Sequence, residues 1–102
     1  MGGDDNDPVA CLVHREGDDV AVAVRDVEPG EVTVAWMDSG RRGRLAVRQV
    51  IPLGHKVALH DLAEGQPVME YGEQVAITRS AIPVGAHVHT HNVRSARWQR
   101  SA

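Results

Sequence analysis

The sequence predicts an all-β protein, a folded ribbon or small barrel of short strands. Three observations carry that expectation. Val20, Val22 and Val24 alternate with Ala21 and Ala23, and Val32, Val34 and Trp36 alternate with Thr33 and Ala35, which is the period of a strand with one buried face. Valine, stiff at its β-carbon and suited to pleated surfaces, dominates the apolar residues. No segment carries a sustained apolar stripe at helical spacing.

Taken in order, residues 1–7 (MGGDDND) are polar and Gly/Asp-rich, and are expected to form a disordered tail. The domain proper is expected over 8–93. Strands are expected at Val9–Val13, Val20–Val24, Val32–Trp36, Arg44–Val50, Lys56–His60, Gln74–Thr78 and Ala86–Val93, with one helical turn at Asp61–Glu64 ahead of Gly65. Residues 94–102 form a basic tail bearing Arg94, Arg97 and Arg100 around Trp98. Gly and Pro punctuate the runs and mark turns.

A degenerate motif links these segments. An apolar residue, two variable positions and a glycine recur at Val27–Gly30, Ile51–Gly54, Leu62–Gly65 and Ile82–Gly85, and a valine follows each glycine by two or three residues. We read this as one device used four times: an apolar plug enters the core, the chain turns at glycine, and a new strand begins. The spacings are unequal, so the motif is not a solenoid repeat.

Composition narrows the function classes. The 102 residues suffice for one domain, with little room for both a core and a deep pocket. Phe is absent, so the core rests on Val, Leu, Ile and Ala. A formal charge of −3 gives no case for nucleic acid. No apolar run approaches the ~20 residues that cross a bilayer, and no signal segment follows Met1. Cys11 is the single cysteine, flanked by apolar residues as a small core side chain would be. A cytoplasmic protein is the expectation.

Six histidines are many for this length. His87, His89 and His91 stand at i, i+2 and i+4, so on a strand all three share a face, and neighbouring imidazoles there could share a metal ion. The same spacing also fits solvated, idle rings, since two ligands do not make a site. Asn92 can fix a turn or bind a substrate oxygen. In Gly54-His55-Lys56, a glycine turn sets His55 and Lys56 at the mouth of a strand, where a lysine can hold a carboxylate as a point charge, or stand as an ordinary surface lysine. Glu70-Tyr71-Gly72-Glu73 reads as a turn, Asp18-Asp19 as a turn and strand start, and Arg41–Arg44 as a solvated hairpin tip or a contact for an acidic partner. Phosphate loops, paired-cysteine zinc patterns, H-E-x-x-H and G-x-S-x-G are all missing.

Three blocks in order, Ile51-Pro52-Leu53-Gly54-His55-Lys56-Val57-Ala58-Leu59, Gly65-Gln66-Pro67-Val68-Met69-Glu70-Tyr71-Gly72 and Ile82–Val93 with its His-Val-His-Thr-His-Asn core, resemble the SAF-type domain of the altronate/galactarate dehydratase family, which includes the sulfolactate sulfo-lyase small subunit. The match spans about Asp18 to Val93. The resemblance implies a β-clip fold. It implies a lyase of the carbon-oxygen hydro-lyase (dehydratase) type in carbohydrate metabolism, in which this chain is a small subunit, inactive alone, that completes a pocket with a large catalytic subunit and a small hydroxy-acid substrate. Sulfite as leaving group is the alternative to water. A divalent metal, iron or manganese, would be completed by the large subunit. Carried over residue by residue, the resemblance marks His55, Lys56 and Asn92 for substrate binding and His89 and His91 for metal; His87 fits the pattern less well. The segment 26–50 is longer than the family pattern suggests. Two further readings are a stand-alone module binding an acidic sugar or metal, and a structural domain forming a homo-oligomer.

Overall fold

The computed structural model describes residues 7–95. Residues 1–6 of the expected tail 1–7, and residues 96–102 of the expected tail 94–102, with Arg97, Trp98 and Arg100, lie outside the described residues. Nine strands and no helix are present among the described residues: β1 (Val9–Val13), β2 (Val20–Ala23), β3 (Gly30–Trp36), β4 (Arg42–Val47), β5 (Lys56–Ala58), β6 (Pro67–Glu70), β7 (Glu73–Thr78), β8 (His87–Val88) and β9 (Val93–Ser95). The fold is all-β, as the alternation predicts. A six-stranded sheet runs in the order β4-β3-β1-β2-β5-β8, and a three-stranded sheet runs β6-β7-β9.

The four plug motifs organise both sheets. Val27, Ile51, Leu62 and Ile82 are buried. They pair two by two, Val27 with Ile51 and Leu62 with Ile82, as isolated antiparallel bridges. Each pair exchanges both backbone hydrogen bonds, at 2.9 Å in the first bridge and 2.8 Å in the second. An aspartate reinforces each: Asp26 accepts the Leu53 N–H at 2.8 Å and Asp61 accepts the Val84 N–H at 2.9 Å. The device therefore works as the sequence motif predicts, with a pairing between motifs that spacing alone does not show. Leu62 is extended in its bridge, so the helical turn expected at Asp61–Glu64 does not form; bridge pairing wins over weak local propensity.

Two cores result. Cys11, Val13, Ala21, Val34, Ile51 and Val57 belong to the core inside the curl of the large sheet. Val20, Ala58, Leu62, Val68, Ile82 and Val88 belong to the core between the large and small sheets. Burial raises the Cys11 thiol to about 11, partly offset by Arg25, so it stays protonated and inert, as expected of a core residue.

The large sheet curls until its two edges meet. Arg48 N–H donates to the Gly85 carbonyl at 2.9 Å, and Gly85 N–H donates to the Ala58 carbonyl at 2.8 Å. Gly85 has φ of 84°, and a β-carbon there would overlap the Ala46 carbonyl oxygen. Only glycine permits both the left-handed turn and the close backbone approach. The strand expected at Arg44–Val50 is displaced to Arg42–Val47, because the hairpin tip falls at Met37–Gly40 and not at the arginines. Arg41 instead lies 3.7 Å over the Trp36 ring and pairs with Glu16 at 2.8 Å; Arg44 pairs with Asp7 at 2.8 Å. The arginines thus tie the hairpin to the rest of the chain.

Gly85→Ala is expected to cost about 3 kcal/mol or more, from left-handed strain plus a forced backbone shift. Gly65→Ala, at φ of 77° with open space around it, is expected to lose only about 1 kcal/mol. Urea denaturation of the two variants checks the contrast; equal losses would refute the edge-closure argument.

Candidate functional site: an imidazole cluster at a cleft between two sheets

Register fixes which side chains meet. Val22 faces Lys56 and Lys56 faces Val88 across β2, β5 and β8. This row looks toward the small sheet, with Val20, Ala58 and Val88 in the core shared by the two sheets. Val57 faces His87 in the next row, so His87 leaves from the opposite side of the sheet. Between the sheets lies a cleft of about 250 Å³, walled by Val68, Val75 and Val88 and rimmed by His55, Lys56 and His89.

The expected strand Ala86–Val93 is two strands and a turn. β8 ends at Val88, and His89–Asn92 turn back into β9. Asn92 makes this turn. Its Oδ1 accepts the His89 N–H at 2.9 Å and its Nδ2 donates to the His87 carbonyl at 2.8 Å. Asn92 and Val93 N–H groups both reach the His89 carbonyl at 3.0 Å. A short amide that bonds the backbone on both sides offers the chain an alternative to continuing the ladder. Asn92 is buried.

The turn brings the rings together although they do not share a strand face. His55 Nδ1 lies 2.9 Å from His87 Nε2. Ring centroids are 4.3 Å apart for His55–His89, 5.4 Å for His87–His89 and 5.3 Å for His87–His91. Donor nitrogens of His55, His87 and His89 all lie within 4.8 Å of one another. His91 is exposed and borders the cluster through His87. So His55, expected with the substrate residues, and His87, which the family pattern set aside, join His89 in one group. The signal that could have found His55 is its place just after a plug turn, one residue past Gly54, as His87 stands two residues past Gly85.

Burial, then repulsion from His55, His91 and His89, lowers the pKa of His87. It is therefore neutral at pH 7 and free to act as acceptor or ligand. The donor set fits a first-row ion: two imidazoles on ~2.0–2.1 Å bonds sit roughly 3.3 Å apart in a tetrahedral site, close to the His55–His87 separation.

A second polar group adjoins the cleft. Lys56 Nζ lies 3.5 Å from Glu70 Oε1, and His14 Nε2 lies 3.3 Å from Glu70 Oε2. The His14 and Tyr71 rings stack at 3.8 Å with planes 16° apart. Tyr71 has φ of 59° and Gly72 has φ of 74°, making a two-residue hairpin turn between β6 and β7. A tyrosine in this region costs about 1–3 kcal/mol of local strain. Asp18, buried, accepts the Tyr71 N–H at 3.2 Å, while buried Asp19 accepts the Met69 N–H at 2.7 Å and meets His60 at 2.7 Å. The Asp18-Asp19 pair is thus a clamp between β2 and β6, beyond the turn that sequence reading assigns it.

The model of the altronate/galactarate dehydratase SAF domain matches residues 9–96. The chain belongs to this family. It is 40% identical over 89 residues to (2R)-sulfolactate sulfo-lyase subunit alpha of Chromohalobacter salexigens, covering 85% of this chain and 95% of that protein. Identity to the same-named subunit of Paracoccus pantotrophus is 46% over 55 residues, 54% of this chain and 82% of that one. Altronate dehydratase of Escherichia coli is 39% identical over 79 residues, 76% of this chain but only 15% of the dehydratase. Family members thus occur both as a small subunit and as a minor part of a longer chain. Among the described residues, no helix is long and apolar enough to cross a membrane.

The lowered pKa of His87 has a consequence for stability. Below about pH 6.5 the unfolded chain takes up this proton first, so the folded state, binding fewer protons, loses stability as pH falls, until His87 itself titrates. Urea midpoints at pH 7.5 and 5.5 should differ more in the native chain than in His87→Asn; equal differences would remove His87 as the cause.

Proposed function

We propose that this chain is the small subunit of a two-part lyase acting on a short hydroxylated carboxylic acid, and that its cleft is one wall of an active site completed by a large partner. The observation that carries the reading is the convergence of His55, His87 and His89, with His55 and His89 at the rim of the cleft that Lys56 also lines. Relatives named as lyase subunits and dehydratases support the reaction class. The chain's own share of the chemistry is binding and orientation. The Lys56 ammonium meets the substrate carboxylate as a point charge. His87, neutral, holds its ring against His55. Asn92 fixes the turn that presents His89, so its part is positioning. The acid–base groups that take the proton next to the carboxylate belong to the large partner.

A divalent ion held by His55, His87 and His89 would supply Lewis-acid stabilisation of the enediolate formed when that proton leaves. An all-imidazole set favours iron over manganese, which prefers carboxylate and water ligands. The leaving group is sulfite or water. Sulfite is supported by the match to alpha subunits over 95% and 82% of their length. Water, as in a sugar-acid dehydratase, is the second reading, supported by the altronate dehydratase match. The reading includes a cytoplasmic enzyme.

The chain should be co-expressed with its large lyase partner and assayed for elimination from (2R)-sulfolactate and from altronate. The isolated chain is expected to be inactive and the complex active. His55→Ala, His87→Ala and His89→Ala should each lower kcat/KM by about 100-fold or more and reduce bound metal measured by elemental analysis. Full turnover and metal content in all three variants would defeat the reading of the cluster.

A further inference from the structure

Glu70 is a buried carboxylate outside the cleft lining, and the proposed chemistry leaves it without a role. Its side chain is only 7% exposed. An ionised carboxylate at such a place is costly unless each oxygen is matched. Both are matched, Oε2 by His14 at 3.3 Å and Oε1 by Lys56 at 3.5 Å. The two partners differ in exposure. The His14 side chain is 19% exposed and stacks on the Tyr71 ring, whereas the Lys56 side chain is 38% exposed and lines the cleft.

Backbone pairing also fixes the place of Glu70. It is the last residue of β6 and pairs with Glu73 across the hairpin. The next residue is the left-handed Tyr71, kept there by Asp18 and by the His14 stack. A turn that accepts strain to seat an aromatic ring over His14 fixes one end of the His14–Glu70–Lys56 chain. Lysine, by contrast, sits on a flexible four-carbon stem and on its own would sample many positions in water.

We infer that Glu70 is a positioning residue that holds the Lys56 ammonium at the rim of the cleft, beside the imidazole cluster, in the place where a substrate carboxylate is received. This rests on the reading of Lys56 as the carboxylate anchor. His14 and Tyr71 serve as the rigid backing.

The test uses the chain assembled with its large partner, with (2R)-sulfolactate and altronate as probes. Glu70→Gln is expected to raise KM about ten-fold while kcat stays within about two-fold and metal content is unchanged, the split that marks lost ground-state and transition-state binding alike. Lys56→Met should raise KM by a similar factor, and the double variant should be no worse than Lys56→Met alone. Glu70→Asp keeps the charge but shortens the reach, and should fall between. If Lys56→Met raises KM and Glu70→Gln does not, the positioning role is wrong and the anchor reading stands. If Lys56→Met has no effect, the anchor reading fails and this inference with it. Should Glu70→Gln not fold, Glu70→Asp decides: an unchanged KM overturns the inference.

Discussion

Two pairs of reciprocal backbone hydrogen bonds, Val27 with Ile51 and Leu62 with Ile82, are the constraint on which the architecture depends. Each joins two chain segments far apart in sequence at the point where both bury an apolar side chain. Fully burying such a residue contributes about 1.5–3 kcal/mol, and the paired amides leave no polar group unsatisfied there. Indeed no buried side-chain nitrogen or oxygen lacks a partner among the described residues. The strands radiate from these bridges, and the glycine after each plug redirects the chain.

The candidate site is a by-product of that plan. His55 follows the turn after Ile51, and His87 follows the turn after Ile82. The two turns are brought side by side because β5 and β8 pair, Val57 opposite His87. His89 arrives by a separate route, through a turn closed by the Asn92 amide. Lys56 points to the other side of β5, into the space between the sheets. The cluster therefore straddles a sheet edge, with imidazoles converging from one side and an ammonium from the other.

Much of this was legible in the residues. Period-two valines and the plug-and-glycine motif reveal most strands and all four turns, since both signals are local. β6 escaped because Pro67 opens it and Val68–Glu70 is too short to show alternation. The stretch 86–93 imitates a strand, for His-Val-His-Thr-His alternates faithfully; the buried amide of Asn92 overrides the pattern through bonds that only three-dimensional context reveals. The joining of His14, Lys56 and Glu70 was not legible. They come from the end of β1, from β5 and from β6, with more than forty residues between the first and second, and no local rule relates them. Asp18 and Asp19 likewise look like turn residues until the strand that they clamp is in view.

The closure of the curled sheet at Gly85 also governs where this domain can change length. The Gly85 turn that leads into His87 lies against the Ala46 carbonyl, so one added or lost residue there would shift that ring out of the cluster. The β3–β4 hairpin, although Met37 at its tip stands 59% exposed, is likewise tied: Met37 N–H donates to the Val13 carbonyl at 2.8 Å and the Asp38 carboxylate accepts the Glu16 N–H at 3.0 Å.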